Sequence, residues 1–156
     1  MMFFDPDIIV PWVNERTSGG LYVPGTCSAI GRIKDGKIVG GIYYEDFNGK
    51  NITCHIASEN GERWLNRTFL WMIFDYPFNQ LKSKRMTAPV AYDNERCINF
   101  VEKLGFTREA ILHDAHPNGD LYIYTLFEKD CRWHKDLKNE IYEQRPRHSR
   151  DTIAEC

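Results

Sequence analysis

Long apolar runs are absent: the longest, residues 69–74, spans six positions. That is far short of the roughly twenty that cross a bilayer, so no membrane-spanning helix is expected. A surplus of one charge is also missing. Lys and Arg number 20 against 22 Asp and Glu, a formal charge of −2, and no segment gathers the basic cluster that nucleic acid demands. The five cysteines, Cys27, Cys54, Cys97, Cys131 and Cys156, are odd in number and include no Cys-x-x-C pair. This argues against a disulfide framework and a zinc ribbon, and for reduced thiols. His113 and His116 lie close in sequence without a third ligand at a telling spacing, so no metal site is expected. The first residues carry Asp5 and Asp7 where a secretory signal has its apolar stretch, which points to a cytoplasmic setting. What is present is a 156-residue chain, 42 % hydrophobic and 27 % charged, the proportions of one globular domain with a single core.

The elements follow from turn residues and periodicity. Pro11 suits the first turn of a short helix over 11–16. Strands are expected over 28–33, 37–47 and 51–57, joined at Asp35-Gly36 and Asn48-Gly49, dipeptides that accept the positive φ of tight hairpin turns. On the third of these strands Ile52, Cys54 and Ile56 share one face and Thr53, His55 and Ala57 the other. Leu70, Ile73, Phe74, Phe78 and Leu81 recur as one helical stripe, with a kink expected at Pro77. A strand over 85–92 contains Pro89, which demands an edge or a neighbour that splays away. Asp93 or Asn94 then opens a helix carrying Cys97, Ile98, Val101 and Leu104, with Gly105 as its left-handed stop. Two further strands, 106–113 and 121–128, complete the order βββ-α-β-α-ββ. The domain is expected to occupy 1–134, and 135–156 reads as a charged peripheral helix and tail.

The segment Asn94-Glu95-Arg96-Cys97-Ile98-Asn99-Phe100-Val101-Glu102-Lys103-Leu104-Gly105-Phe106 resembles the GNAT superfamily of acetyl-coenzyme A dependent N-acyltransferases. The meander, Asp75-Tyr76-Pro77-Phe78 and Cys131-Arg132-Trp133 are similar to a subgroup found in phages and prophages. The resemblance implies an α/β fold with a mixed, mostly antiparallel sheet, central parallel strands that splay apart, and flanking helices. It implies acetyl-CoA as co-substrate and no metal. Its pantetheine arm would lie in the splay and its pyrophosphate at a helix amino terminus. The family's glycine-rich loop is replaced here by Arg63, Trp64, Leu65, Asn66 and Arg67, with Trp64 at the first glycine. Backbone donors and the two arginines remain for the phosphates. Asn94, Phe100 and Lys103, with the backbone of Ile56 and Ala57, complete the cofactor set that the resemblance implies. Asn94 has an alternative reading as a plain helix cap.

Acetyl transfer to an amine needs a base, an oxyanion contact and a donor to the departing thiolate. His55 is the candidate base, because it lies on the strand bordering the splay. Glu45, with Asp46 beside it, is the rival. Many family members place a Tyr seven residues after the motif Asn; here Val101 stands there, and Cys97 is the candidate acid or hydrogen-bond donor. The acceptor is expected to be a primary amine, on a protein, a peptide or a small molecule, and a homodimer would be usual for the family. The rival reading is a catalytically inactive GNAT-like module that binds a protein partner.

Overall fold

The computed structural model describes residues 1–17 and 22–134; the expected tail at 135–156 lies outside them. Chain order is β1 (Met2–Phe3), α1 (Pro6–Thr17), β2 (Ser28–Lys34), β3 (Lys37–Glu45), β4 (Asn51–Ser58), α2 (Arg67–Asp75) continued by a π-turn (Tyr76–Gln80), β5 (Arg85–Ala91), α3 (Glu95–Leu104), β6 (Thr107–His116) and β7 (Gly119–Phe127). The strands form one sheet in the order β1-β2-β3-β4-β5-β7-β6. Every pairing is antiparallel except β4 with β5. α1 packs Ile9, Val10 and Val13 against Ala29 and Tyr43 on one face. The main core, with Phe69, Phe74, Met86 and Val101, fills the other face under α2 and α3.

The expected meander forms, and the physical reasons differ between its two turns. Asp35 and Gly36 both take positive φ, 50° and 74°, as a two-residue hairpin requires. At Asn48-Gly49 the strand stops two residues early, at Glu45 rather than at 47. Asp46 and Gly49 take φ of 55° and 90°, and Asn48 Oδ1 accepts from the backbone N–H of Lys50 and Asn51. A side-chain turn thus replaces the tight hairpin.

The amino-terminal helix begins at Pro6, not Pro11. Asp5 precedes it, accepting from Asp7 N through its side chain and from Ile9 N through its carbonyl, so Pro6 takes the first-turn place assigned to Pro11. The short β1, paired with Gly31 and Arg32, also went unforeseen. α3 is capped by Asn94, whose Oδ1 accepts from Cys97 N at 3.1 Å. Asp93 instead accepts from the Asn118 side chain. Gly105 closes the helix at φ 106°, as expected.

Pro77 produces a π-turn rather than a simple kink. It has no N–H to offer the carbonyl of Ile73, one turn back. The Tyr44 hydroxyl, from β3, donates to that carbonyl at 2.7 Å. Tyr44→Phe is therefore expected to leave a buried acceptor unmet and to cost about 1–3 kcal/mol. A lower denaturant midpoint at unchanged slope is the check.

β4 and β5 pair only from Asn51↔Arg85 to Thr53↔Thr87 and then diverge. Arg85 fastens the closed end, donating to Asn51, Thr87, Thr125 and Glu109 on four adjacent strands. Pro89 lies beyond the last β4 pair, opposite Ile123 of β7 alone, where a missing donor toward β4 is harmless.

Candidate active site

The divergence of β4 from β5 opens into a cleft of about 550 Å³ between the end of β4, the loop after it and α3. Ile56, Ala57, Trp64, Asn94, Cys97, Phe100 and Lys103, all sequence candidates, line it. Arg63, Leu65, Asn66 and Arg67 do not. Asn66 caps α2 by accepting from Phe69 N at 2.8 Å, and Trp64 fills the space that a glycine would leave open. Its ring is 7 % exposed and packs at 5.5 Å from Phe69 and 5.6 Å from Phe100.

Trp64 reaches this place because β3 has glycine beneath it. A Cβ on Gly40 would lie 2.2 Å from Trp64 Cε3, while one on Gly41 would meet Ile9 of α1 at 3.1 Å. The adjacent glycines therefore admit an indole on one face of the sheet and a helix on the other. Arg32 donates to the Trp64 carbonyl and fixes the loop from below.

Positive charge comes from elsewhere. Arg96, missed by the sequence reading, lines the cleft from α3 and donates to Ser58 Oγ, Asn60 Oδ1 and Glu59 O of the β4–α2 loop. Arg16 of α1 also lines it, stacked on Trp12 and paired with Glu59. The spacing 96, 99, 100, 103 puts Arg96, Asn99, Phe100 and Lys103 on one helical face, the signal that would have found Arg96 and Asn99. The site fits a long anionic thioester. The unpaired edge of β4 suits an amide-bearing arm, and Arg96 and Lys103 supply charge for phosphates.

A narrow gap of about 20 Å³ continues the splay between Cys54–Ile56 and Ala88–Ala91, and both His55 and Cys97 line it. Two catalytic candidates thus meet at one place. His55 Nε2 lies 2.7 Å from Glu45 Oε1, and its ring stacks on Tyr43 at 4.6 Å, with planes 19° apart. Tyr43 is itself tied by its hydroxyl to Asn14. Glu45 is thus a hydrogen-bond partner of His55, and a carboxylate at Nε2 favours the tautomer that carries its proton there.

The hydrogen bond from His55 holds the Glu45 carboxyl below its usual range, against the opposing effect of burial. A carboxyl lowered on folding adds stability that is complete above its unfolded value, about 4.3, and vanishes as pH falls through the lowered one. Glu45→Gln should therefore melt below the wild type at pH 7. The gap should narrow as pH falls from about 4.3 through the lowered value.

Burial raises the Cys97 thiol to about 11. It stays protonated at neutral pH, so it serves as an S–H donor. Among the described residues no group of three metal-ligating side chains is placed to hold an ion, and no helix is long and apolar enough to cross a membrane.

Residues 28–126 match the family model described as the acetyltransferase (GNAT) domain. No curated protein matches the sequence. Among solved structures, the spermidine/spermine N-acetyltransferase SpeG of Vibrio cholerae aligns with TM-score 0.65 at 12 % identity, over 83 % of this chain and 92 % of that one. The N-acetyltransferase PseH of Campylobacter jejuni, in complex with acetyl coenzyme A, aligns with TM-score 0.52 at 18 % identity, over 66 % and 69 %. A GNAT-family acetyltransferase of Bacillus anthracis gives 0.54 at 19 %, over 67 % of each chain. At these identities the likeness is one of fold.

Proposed function

Because the chain belongs to the acetyltransferase (GNAT) family and is an acyltransferase, we propose that it moves an acetyl group from acetyl-CoA to a primary amine, with His55 as base. The observation that carries this reading is the gap where β4 leaves β5, lined by His55, with Glu45 behind it, and by Cys97. Acetyl-CoA supplies an activated acyl thioester. His55 Nδ1 takes the proton of the acceptor ammonium, and Glu45 steadies the charge that the imidazole gains. Backbone N–H groups along Ile56 to Ser58, on the β4 edge that β5 does not cover, face the negative charge that develops on oxygen. Cys97 offers its S–H to the departing sulfur. Lys103 and Arg96 hold the phosphates, and Trp64 and Phe100 flank the arm.

For the acceptor, we favour an amine on a protein or peptide. Its support is that α1 is the one described helix between β1 and β2, which leaves that wall of the site low. The sequence adds a cytoplasmic enzyme, a domain at 1–134 with a charged 135–156 tail, a phage-type origin and a homodimer to the same proposal.

Calorimetric titration with acetyl-CoA, followed by thiol release assayed with lysine peptides, protein extracts and spermidine, tests both parts. Micromolar binding with peptide turnover is expected. Absence of binding at millimolar concentration overturns the donor, and turnover confined to free polyamines overturns the acceptor.

A further inference from the structure

A second cavity, of about 380 Å³, opens at the other end of α2 and shares no lining residue with the cleft or the gap. Trp64, in the cleft, precedes α2, whereas Asp75 closes it, and nine helical residues at ~1.5 Å each put about 13 Å between the ends. The volume lies within the usual range for small-molecule sites, about 300–1,000 Å³.

Its walls have a definite chemistry. Tyr44, Trp71, Met72 and Tyr76 line it together with Asp75 and Gln80. The rings of Tyr44 and Tyr76 stand 5.1 Å apart and tilted by 49°. Both hydroxyls are engaged elsewhere, Tyr44 on Ile73 O and Tyr76 on Ser28 Oγ, each at 2.7 Å, so what the rings add to the cavity is π surface. β1 pairs only with Gly31 and Arg32, which leaves the outer edge of Ser28, Ala29 and Ile30 without a strand partner where those residues line the cavity.

Asp75 is the decisive residue. It is 9 % exposed, and its two oxygens accept from the neutral amides of Asn79 and Gln80 at 2.8 and 2.9 Å. Among the described residues no Lys, Arg or His forms an ion pair with it. Neither the last turn of α2 nor the π-turn holds a basic residue. Buried carboxylates are ordinarily paired with a cation. Two neutral donors satisfy some of the lone pairs and leave the charge uncompensated, beside aromatic faces that attract cations. The π-turn, a distortion that recurs at functional sites, is what brings Gln80 round to the carboxylate.

We propose that this cavity binds a small alkylammonium ion, with its charge on Asp75 and its carbon chain against Tyr44, Trp71 and Tyr76. The site is separate from the place of acetyl transfer, and its occupancy does not depend on that reaction.

The test titrates the full chain with n-butylammonium chloride at neutral pH by calorimetry, in the wild type and in Asp75→Asn, Gln80→Lys and His55→Ala. Gln80→Lys keeps the carboxylate and supplies an internal ammonium beside it, so it decides the matter even where Asp75→Asn fails to fold. Saturable binding by the wild type is expected, weakened at least tenfold by Asp75→Asn and by Gln80→Lys and altered less than twofold by His55→Ala. No binding by the wild type overturns the proposal. So does binding that survives in the Asp75 and Gln80 variants, or binding lost in His55→Ala alone, which would assign the amine to the transfer site.

Discussion

His55→Ala should lower kcat/KM for amine acetylation by about 10²–10⁴-fold, the usual contribution of a positioned general base. Acetyl-CoA affinity should stay within about twofold, because the ring lines the gap and not the cleft that holds the phosphates. Two further readouts separate a base from a packing residue. The variant should lose the acid limb of the pH–rate profile. Its deficit should also shrink toward high pH, where the acceptor amine loses its proton without help. Glu45→Gln should fall between the two proteins in rate, since it removes the carboxylate that keeps Nε2 protonated and leaves the ring in place. A uniform loss at every pH, accompanied by weaker acetyl-CoA binding, would show that His55 only packs against Tyr43.

Gly40→Val should be the most damaging single substitution outside the catalytic pair. A Cβ at that position overlaps the Trp64 ring at three atoms, at 2.2, 2.5 and 2.9 Å, and an indole packed on Phe69 and Phe100 can yield only by moving into the cleft it lines. Overpacking of this kind costs about 1–3 kcal/mol and occasionally more, here together with displacement of a cleft wall. The expected result is a fall in melting temperature of several degrees with loss of acetyl-CoA binding. A double-mutant cycle gives the sharper check: Trp64→Leu beside Gly40→Ala should be more stable than the two separate losses imply, because the smaller side chain makes room. Additive losses would mean that Trp64 is not seated on Gly40.

Sequence reading reached the element order from β2 onward and the Gly105 stop, because each has a local cause in turn dipeptides and an apolar stripe; Pro89 left an edge strand or a splay open, and only the family resemblance implied the splay. Sequence reading missed β1 and the start of α1. There, two prolines competed for the first helical turn, and pairing with Gly31 and Arg32 is a long-range event. It placed Trp64 at the cofactor loop by position in the chain. Nothing local says that Gly40, on another strand, admits the ring. The face of α3 bearing Arg96 and Lys103 was readable from helical spacing. That Arg96 clasps the loop at Ser58 and Asn60 was not, since contact between residues 36 and 38 apart in sequence is decided by the fold. His55 and Glu45 were each identified singly. Their pairing follows from strand register, with Tyr43↔His55 and Glu45↔Thr53 setting the two side chains diagonally on one face.

The short seam between β4 and β5 makes the sheet two blades instead of one plate. Four strands stand on one side and three on the other, joined by three residue pairs and by the guanidinium of Arg85, which grips Asn51 on one blade and Glu109 and Thr125 on the other. A joint at one end of a slot behaves as a clothes-peg spring. Widening the slot at its far end would break no strand pairing within either blade, but it would cost the Arg96 bonds to Ser58, Asn60 and Glu59. Amide exchange should show it, with protection lower along the seam than in the β2–β3 and β5–β7 ladders. Loosening Arg85 would then alter how readily the slot admits its long ligand before it altered what happens inside.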